Sequence, residues 1–498
     1  MEEMKGGKEM MAALCQGAIS EIVAEMARRI SYGKLANELR LSEADLRSWQ
    51  AAKHEYPTEL FWRIVLVAYK YGFYDLLTTR GLPSPSYEIK NRYNLLMAPV
   101  GFEAEPPLLP LINRPTKIAG HRVDFPLGLP ASVLATNSKW IEFYARRGFD
   151  ILTYKTVRTE YRDAHPWPNW VFLKDPKEME TPFNDPVIGF PDYWPEDAST
   201  LSMANSFGIP SLAPEGWQED VQRARQVVRE GHQVFIVSVV ASKHDDETVT
   251  MEDFVKAALM AKAAGADIVE LNYSCPNVQG DPVGDLYKFE ISARISKAVK
   301  TALESTPLFV KIGYLPKAEL RKFIANNAQW IDGIVAINTI TAKVVNEEGQ
   351  ITFPPNLSLS PTTDRETAGV SGWAIKARAQ EVARNLVDLR EYVRRDFKKS
   401  LTILGLGGVL TAQDVYEYLD TIHVDAVESC TGAFLNPLLG LYARLDTEAF
   451  ERRPSRLKFE FQYFKEFFEE LFTRSSAVSQ IRIDPTSRIV RVERSQES

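Results

Sequence analysis

The stretch Asp267-Ile-Val-Glu-Leu-Asn-Tyr-Ser-Cys-Pro-Asn-Val (267–278) joins a short, largely apolar run to a polar loop. The run Asp267–Asn272 has the length and the apolar character of a strand that is buried on both faces of a parallel sheet. In barrel enzymes the loop after such a strand carries reactive side chains. The stretch therefore predicts a buried strand that ends at a functional site.

Seven further runs of this kind alternate with helical stretches such as 252–264, 287–303, 373–397 and 412–419. These predicted strands are Leu127–Ala131, Asp150–Thr156, Val234–Val240, Leu308–Ile312, Gly333–Asn338, Leu401–Gly405 and Ala426–Ser429. Eight strand–helix units close most simply into a barrel. The fold class predicted is α/β, a (β/α)8 TIM barrel with additions at both ends.

The barrel does not use all 498 residues of the chain. The predicted domains are an N-terminal helical segment (1–85), a Pro-rich connector (86–117), the barrel (118–448) and a C-terminal helix with a hairpin (449–498). The connection 157–232 is too long for a minimal loop between a strand and a helix. We expect it to form a lid or wall over the barrel mouth.

Composition excludes several classes of protein. A net charge of −7 disfavours a general nucleic-acid binder, which needs a basic surface. The segment 32–49 is similar to a helix-turn-helix, but its second helix carries Glu43 and Asp45, so packing or oligomerisation is the better interpretation. We expect no nucleic-acid partner, and a homo-oligomer.

The three cysteines, Cys15, Cys275 and Cys430, form no C-x-x-C pair, which excludes a disulfide framework and a four-thiolate iron–sulfur cluster within one chain. No metal site is expected. The sequence shows neither a signal-peptide layout nor a long uninterrupted apolar window, so a cytoplasmic location without a transmembrane segment is expected.

Leu271-Asn-Tyr-Ser-Cys-Pro-Asn-Val resembles the catalytic loop of the dihydroorotate and dihydropyrimidine dehydrogenase family. Further stretches match this family in order from about residue 118 to 445: Thr153-Tyr-Lys-Thr, Met203-Ala-Asn-Ser-Phe-Gly-Ile-Pro, Val310-Lys-Ile, Ala336-Ile-Asn-Thr, Gly369-Val-Ser-Gly, Gly405-Leu-Gly-Gly and Ser429-Cys-Thr-Gly. The resemblance implies an FMN-dependent oxidoreductase that oxidises dihydroorotate or a related dihydropyrimidine.

Cys275 is the candidate acid–base group for that reaction. A thiol has a reference pKa near 8.5, and a nearby lysine would enlarge its thiolate fraction. The alternative is a buried cysteine that acts as a small apolar residue. The resemblance implies that Cys275 removes a proton next to the ring carbonyl while a hydride passes to flavin N5.

The substrate carries a cyclic ureide, whose N–H and C=O groups match the donors and acceptor of amide side chains. The resemblance assigns this role to Asn205, Asn272, Asn277 and Asn338, with Thr339 beside them. Any one asparagine could instead be a turn or cap residue.

The resemblance places Lys155 between flavin and substrate, where it is also a candidate catalytic residue, and Lys311 near flavin N1. A structural salt bridge is the alternative for each lysine. The other flavin contacts implied, including the phosphate site after the seventh and eighth strands, are Ala131, Ser132, Ser371, Gly372, Gly407, Gly408, Cys430 and Thr431.

Two departures from the family put the substrate in question. Val133 stands where the family has glycine, and His165-Pro-Trp-Pro-Asn169 lacks the family's arginine. Quinone-dependent members of the family use serine as the base, so Cys275 places this chain with the soluble, cysteine-type members. Dihydropyrimidine dehydrogenases have histidine at the position of Asn277, so dihydroorotate is the favoured substrate. A tRNA-dihydrouridine synthase and a DNA-binding, flavin-sensing regulator remain as further alternatives.

Overall fold

The computed structural model describes the following residues of the chain: 19–52, 58–78, 83–106, 111–180, 185–242, 246–274, 289–354, 365–444, 478–483 and 490–494.

Eight parallel strands close into a barrel, so the predicted (β/α)8 class is confirmed. In chain order they are β1 (Leu127–Leu129), β2 (Ile151–Val157), β3 (Val234–Val239), β4 (Ile268–Asn272), β5 (Leu308–Ile312), β6 (Gly333–Ala336), β7 (Thr402–Leu406) and β8 (Ala426–Glu428). Each strand pairs with its neighbours in the chain, and β8 returns to pair with β1. Every residue of β2, β4 and β5 is buried, which explains their nearly continuous apolar character.

Helices surround the barrel, and short helices follow its last strand in the chain. The longer ones are Ser138–Ala145, Pro214–Val227, Glu247–Ala263, Phe289–Leu303, Lys317–Asn327, Lys376–Asp388 and Arg390–Phe397, and the short ones are Ala412–Tyr416, Thr431–Leu435 and Leu439–Ala443. Local sequence sets their starts: the Asn137 side chain caps the first of them, and Thr411 and Asp414 form a reciprocal capping box. The predicted helix 373–397 is divided in two at Leu389, after a 3₁₀ turn at Trp373–Ile375.

A short hairpin fills the amino-terminal end of the barrel. Its strands, Thr116–Ile118 and His121–Val123, pair antiparallel. Ile118 and Val123 are fully buried and pack with inward-facing residues of the barrel such as Ile151 and Phe309. The loops at the opposite, carboxyl-terminal end are therefore the ones that can form a site.

A second sheet, which we call the cap sheet, is built from two of those loops. Its strands in spatial order are Trp170–Phe172, Ser202–Asn205, Thr367–Gly372, Ile340–Val345 and Val187–Ile188. Three of them come from the connection 157–232 after β2, and two follow β6. These strands are not predicted from the sequence, because three of them have only two to four residues.

The N-terminal segment consists of helices at 19–30, Tyr32–Leu39, Glu43–Ala52, Thr58–Lys70 and Tyr74–Thr78. Its apolar residues form a core of their own around Ile22, Val23 and Leu35. The Tyr69 hydroxyl donates to the carbonyl of Tyr87 and accepts from the Ile89 amide, which ties the helices to the connector.

The segment that is similar to a helix-turn-helix has two helices, joined by a turn in which Arg40 has a φ of 53°. Glu43 and Asp45 on the second helix are exposed, and Arg47 on the same helix forms an ion pair with Glu43 at 3.8 Å. At the C-terminus, Val478–Ile483 and Val490–Arg494 pair antiparallel as a hairpin. The helix predicted before this hairpin lies outside the described residues. Within the described part of the chain, no helix has the length and apolar character needed to cross a membrane.

Candidate active site

A cleft of about 890 Å³, including the space at its mouth, opens at the carboxyl-terminal ends of the barrel strands. The predicted site residues on its wall are Ala131, Ser132, Lys155, Asn205, Asn272, Lys311, Asn338, Thr339, Ser371 and Cys430. Residues that are distant in the sequence are thus brought together by the barrel and the cap sheet.

The remaining predicted residues fall into two groups. Gly372, Gly407, Gly408 and Thr431 follow wall residues in the chain but are not part of the cleft wall. Cys275 and Asn277 lie outside the described residues. Ser274, which precedes Cys275 in the sequence, lines the cleft.

Two buried lysines reach the cleft from the barrel interior. Lys311 on β5 is 2% exposed, and its Nζ donates to the carbonyl of Ala131 at 3.1 Å. Lys155 on β2 is 7% exposed, and its Nζ donates to the carbonyls of Pro210 and Thr156. Backbone oxygens thus orient both ammonium groups, which are costly to bury without such partners.

Three asparagines converge on the same cleft. The Asn205 amide nitrogen donates to the Gly369 carbonyl at 2.9 Å, and that of Asn338 donates to the Ser274 carbonyl at 2.6 Å. Asn272 donates to the Thr156 hydroxyl at 3.1 Å and accepts from the Ser274 amide at 3.0 Å. Each side chain is held in place, and each amide has more donor or acceptor capacity than one contact uses.

Backbone conformation after β7 and in the cap sheet favours glycine at three predicted positions. Gly372, Gly407 and Gly408 have φ values of 89°, 120° and 69°, a region that other residues rarely occupy. The Thr431 hydroxyl lies 3.1 Å from the Ser371 hydroxyl, which joins the loop after β8 to the cap sheet. Burial raises the pKa of the Cys430 thiol, although a hydrogen bond from Ser132 and the charge of Lys311 oppose this.

One part of the cleft wall that the sequence does not predict is aromatic and consists of Tyr93, Trp170 and Phe207. The Tyr93 and Phe207 rings meet edge to face at 5.1 Å, and the Tyr93 hydroxyl lies 2.9 Å from that of Thr136. Phe207 lies inside a quoted motif, so a signal was present. Tyr93 belongs to the Pro-rich connector, where the sequence gives no indication of a role in the site.

Arg365 supplies a guanidinium to the loop that lacks the family's arginine. It is 3% exposed and donates to the carbonyls of Pro166 and Pro168 at 3.0 and 3.1 Å. It also donates to the hydroxyl and carbonyl of Ser206 at 3.1 and 2.7 Å. Burial lowers the pKa of Arg365 to about 10. Burial and the neighbouring Arg365 lower the pKa of His165 to about 3, so this imidazole is neutral at physiological pH.

Below the cleft, the barrel interior contains a polar layer. The apolar layer next to the hairpin includes Ile151, Ile236, Ile268, Phe309 and Ala426. Because side chains alternate along a strand, the residues two positions further on also face inward. These residues are Thr153, Ser238, Glu270, Lys311 and Glu428, and we refer to them as the polar layer.

Glu270 and Glu428 in this layer are both fully buried, at 0% exposure. One oxygen of Glu428 accepts from the Thr153 hydroxyl at 2.9 Å, and the other has no hydrogen-bond partner among the described residues. Burial raises the pKa of both carboxyls, and repulsion from Glu270 raises that of Glu428 further, to about 8. The charge of Lys311 opposes both shifts.

A closed barrel with a polar cleft at the carboxyl-terminal ends of its strands is the architecture of a barrel enzyme. A sequence profile described as dihydroorotate dehydrogenase matches residues 193–422. Dihydroorotate dehydrogenase of Dictyostelium discoideum is 30% identical over 334 residues, which cover 65% of this chain and 85% of that protein.

Two further proteins are similar. The catalytic subunit of dihydroorotate dehydrogenase B (NAD(+)) from Thermoplasma volcanium is 25% identical over 311 residues, covering 61% of this chain and 82% of that one. A crystal structure of DHODH in complex with ferulenol from Eimeria tenella covers 78% of this chain and 89% of its own, at 18% identity and a TM-score of 0.48.

The chain therefore belongs to the dihydroorotate dehydrogenase family. It is an oxidoreductase of the dihydroorotate dehydrogenase type, which acts on a CH–CH bond of a small molecule.

Proposed function

We propose that the protein is an FMN-dependent dehydrogenase that oxidises dihydroorotate, with Cys275 as the base. The observation that carries the proposal is the convergence of two buried lysines and three asparagines on one cleft of the barrel. Cations suit an electron-rich cofactor, and uncharged amides suit a cyclic ureide.

The residues of the cleft fit FMN. Ala131 and Ser132 after β1 would contact the flavin ring, and Lys311 would place its positive charge at the N1 side. Ser371 and Cys430 on the cleft wall would form the phosphate site together with Gly372, Gly407, Gly408 and Thr431, which follow wall residues in the chain. When bound, FMN would supply the two-electron acceptor for the hydride of the substrate.

The substrate would lie against the amide groups. Asn205, Asn272 and Asn338 are held by backbone or side-chain contacts, so little side-chain freedom would be lost on binding. Asn277 and Thr339 would complete the set. Lys155 would lie between the ring of the substrate and the flavin, and its charge would also favour the thiolate of Cys275.

Cys275 would remove the proton from the carbon next to the ring carbonyl. Its position in the sequence, directly after the cleft residue Ser274, supports this role. A positioned acid–base group contributes about 10²- to 10⁴-fold to a rate. We therefore expect Cys275→Ala to slow substrate-dependent bleaching of the flavin by that factor while FMN remains bound.

The test mixes the purified yellow protein anaerobically with dihydroorotate and follows flavin absorbance in a stopped-flow instrument. Cys275→Ser should retain part of the rate and gain activity at higher pH, because a hydroxyl ionises less readily than a thiol. Cys15→Ala serves as the matched control for loss of a cysteine. An unchanged bleaching rate in Cys275→Ala would remove this residue from the mechanism.

A dihydropyrimidine other than dihydroorotate is the second candidate, and the altered loop His165-Pro-Trp-Pro-Asn169 favours it. The same experiment with dihydrouracil and dihydrothymine in place of dihydroorotate separates the two. Faster bleaching by an uncharged dihydropyrimidine would assign the chain to this second activity.

A further inference from the structure

The polar layer beneath the cleft has an unbalanced set of charges if every member is ionised. Glu270 and Glu428 are both at 0% exposure, and Lys311 is the cation on the adjoining strand β5. Two carboxylates and one ammonium would leave a net negative charge in the barrel interior. An uncompensated buried charge costs on the order of several kcal/mol, even after the protein relaxes around it.

Among the described residues, the elements around the pair offer little other compensation. The second buried ammonium, that of Lys155 on β2, is held by the carbonyls of Pro210 and Thr156, and Lys311 is the cation whose charge acts on both glutamates. The neighbouring strands β2 and β3 contribute the hydroxyls of Thr153 and Ser238, and β7 contributes the apolar Leu404 and Leu406. Cys430, after β8, is the other titratable group whose interaction with Glu428 is resolved, and its raised pKa keeps it a neutral thiol at neutral pH. The charge balance therefore depends on Glu270, Glu428 and Lys311.

We propose that Glu270 and Glu428 together carry one proton at neutral pH, which we call the shared proton, so that a single negative charge in the polar layer balances the ammonium of Lys311. Both oxygens of Glu270 and one oxygen of Glu428 have no hydrogen-bond partner among the described residues, which favours the neutral form of one of the two carboxyls. The layer is then neutral as a whole, with one carboxylic acid, one carboxylate and one ammonium. The hydroxyl of Thr153 donates to Glu428 at 2.9 Å, which helps to hold this carboxyl in place. The two glutamates are positioning residues, because they act through Lys311.

The consequence for the site rests on the proposed function. Lys311 extends from the polar layer to the cleft wall, where its Nζ bonds to Ala131. The carboxylate below it offsets part of the positive charge that a flavin above would experience. Loss of the shared proton at alkaline pH would offset that charge further and disfavour the electron-rich, reduced flavin.

Infrared spectroscopy of the purified full-length protein tests the shared proton directly. A protonated carboxyl has a carbonyl stretching band that an ionised carboxylate lacks, and ¹³C-labelled glutamate separates it from aspartate bands. We expect one label-sensitive band at neutral pH, which disappears with a midpoint near pH 8. Absence of this band at neutral pH would overturn the proposal.

Two substitutions assign the band. In Glu270→Gln and in Glu428→Gln the repulsion between the two carboxyls is gone while the charge of Lys311 still favours the carboxylate, so the remaining carboxyl should ionise and each variant should lose the band. Glu290→Gln, on an exposed position of the helix Phe289–Leu303, is the matched control and should keep it. A band that persists in both variants would overturn the proposal. Should neither variant fold, the wild-type titration alone still decides it.

The effect on the cofactor is measured separately. In the double variant Glu270→Gln/Glu428→Gln the charge of Lys311 is unopposed, and we expect the preference for reduced over oxidised FMN to rise about tenfold, equal to about 30 mV in midpoint potential. A potential that does not move would overturn the link through Lys311. Because the infrared experiment needs no flavin, a protein that binds no FMN would refute the proposed function and leave the shared proton to be judged by itself.

Discussion

Replacing Arg365 with methionine should loosen the cap sheet where it meets the active-site cleft. The guanidinium makes five hydrogen bonds, to the carbonyls of Pro166, Pro168, Pro354 and Ser206 and to the Ser206 hydroxyl. Methionine has a similar length and can still pack on Phe353, whose ring lies 5.3 Å from the guanidinium. The substitution therefore removes the polar contacts and leaves four carbonyls without that partner.

The magnitude follows from opposing contributions. A hydrogen bond to a charged group is worth about 1.5–3 kcal/mol, but the buried cation has lost its hydration, which offsets part of the sum. A net loss of about 3–5 kcal/mol is typical when one partner of such a buried network is removed. At about 1.4 kcal/mol for each factor of ten, local opening should become roughly a hundredfold to several thousandfold more frequent.

Amide hydrogen exchange measures this opening residue by residue. The Ser206 amide, which donates to Asn169 at 2.8 Å, and the Leu173 amide, which donates to Ser202 at 2.9 Å, report on the cap sheet. Amides of β5 serve as the internal reference, and Arg395→Met, at an exposed position, is the control variant. Cap-sheet exchange within threefold of wild type would refute the role assigned to Arg365.

Three more predictions concern other parts of the site. The pKa of His165 is lowered from 6.5 to about 3 in the folded protein. Below pH 6.5 the unfolded chain therefore binds a proton at this imidazole that the folded chain does not bind. The free energy of unfolding should fall by about 3 kcal/mol between pH 6.5 and about pH 4. Urea unfolding of wild type and His165→Gln checks this, and equal pH slopes would contradict it. Gly208→Ala should destabilise the protein by more than Gly349→Ala, since the φ values are similar, 80° and 78°, but only the Gly208 Cβ would clash, 2.4 Å from His165 Nε2. Equal unfolding midpoints for the two variants would argue against this clash. Lys311→Met should weaken FMN binding by about tenfold or more, as expected for loss of a charged contact. Lys139→Met, at an exposed position, should leave FMN binding unchanged. Fluorescence titration measures both affinities, and an unchanged affinity in Lys311→Met would count against the flavin role of this lysine.

The barrel could be predicted from the sequence because its strands are buried on both faces. Runs such as those containing Ile236 and Val310 are apolar throughout, and this pattern does not depend on knowing their neighbours. The cap sheet could not be predicted in the same way. Its strand Val187–Ile188 has two residues, and its partner Ile340–Val345 is distant in the chain, so its formation depends on tertiary pairing.

The cleft was predictable where its residues lie near the carboxyl-terminal ends of barrel strands, as with Lys155, Asn272 and Lys311. Site residues that belong to segments outside the barrel strands, such as Tyr93 and Arg365, could not be predicted. Glu270 and Glu428, the glutamates of the polar layer, lie within strands that were predicted from the sequence. That their side chains lie in one layer with Lys311 depends on the register of β4 against β5 and on the closure of β8 against β1, which only the structure gives.

The most direct test is whether the purified chain carries FMN and transfers electrons to it from dihydroorotate. We expect a yellow protein with about one FMN per chain, whose flavin absorbance is fully bleached by dihydroorotate in the absence of oxygen. A colourless protein that takes up no added FMN, or a bound flavin that neither dihydroorotate nor another dihydropyrimidine reduces, would contradict the proposed function.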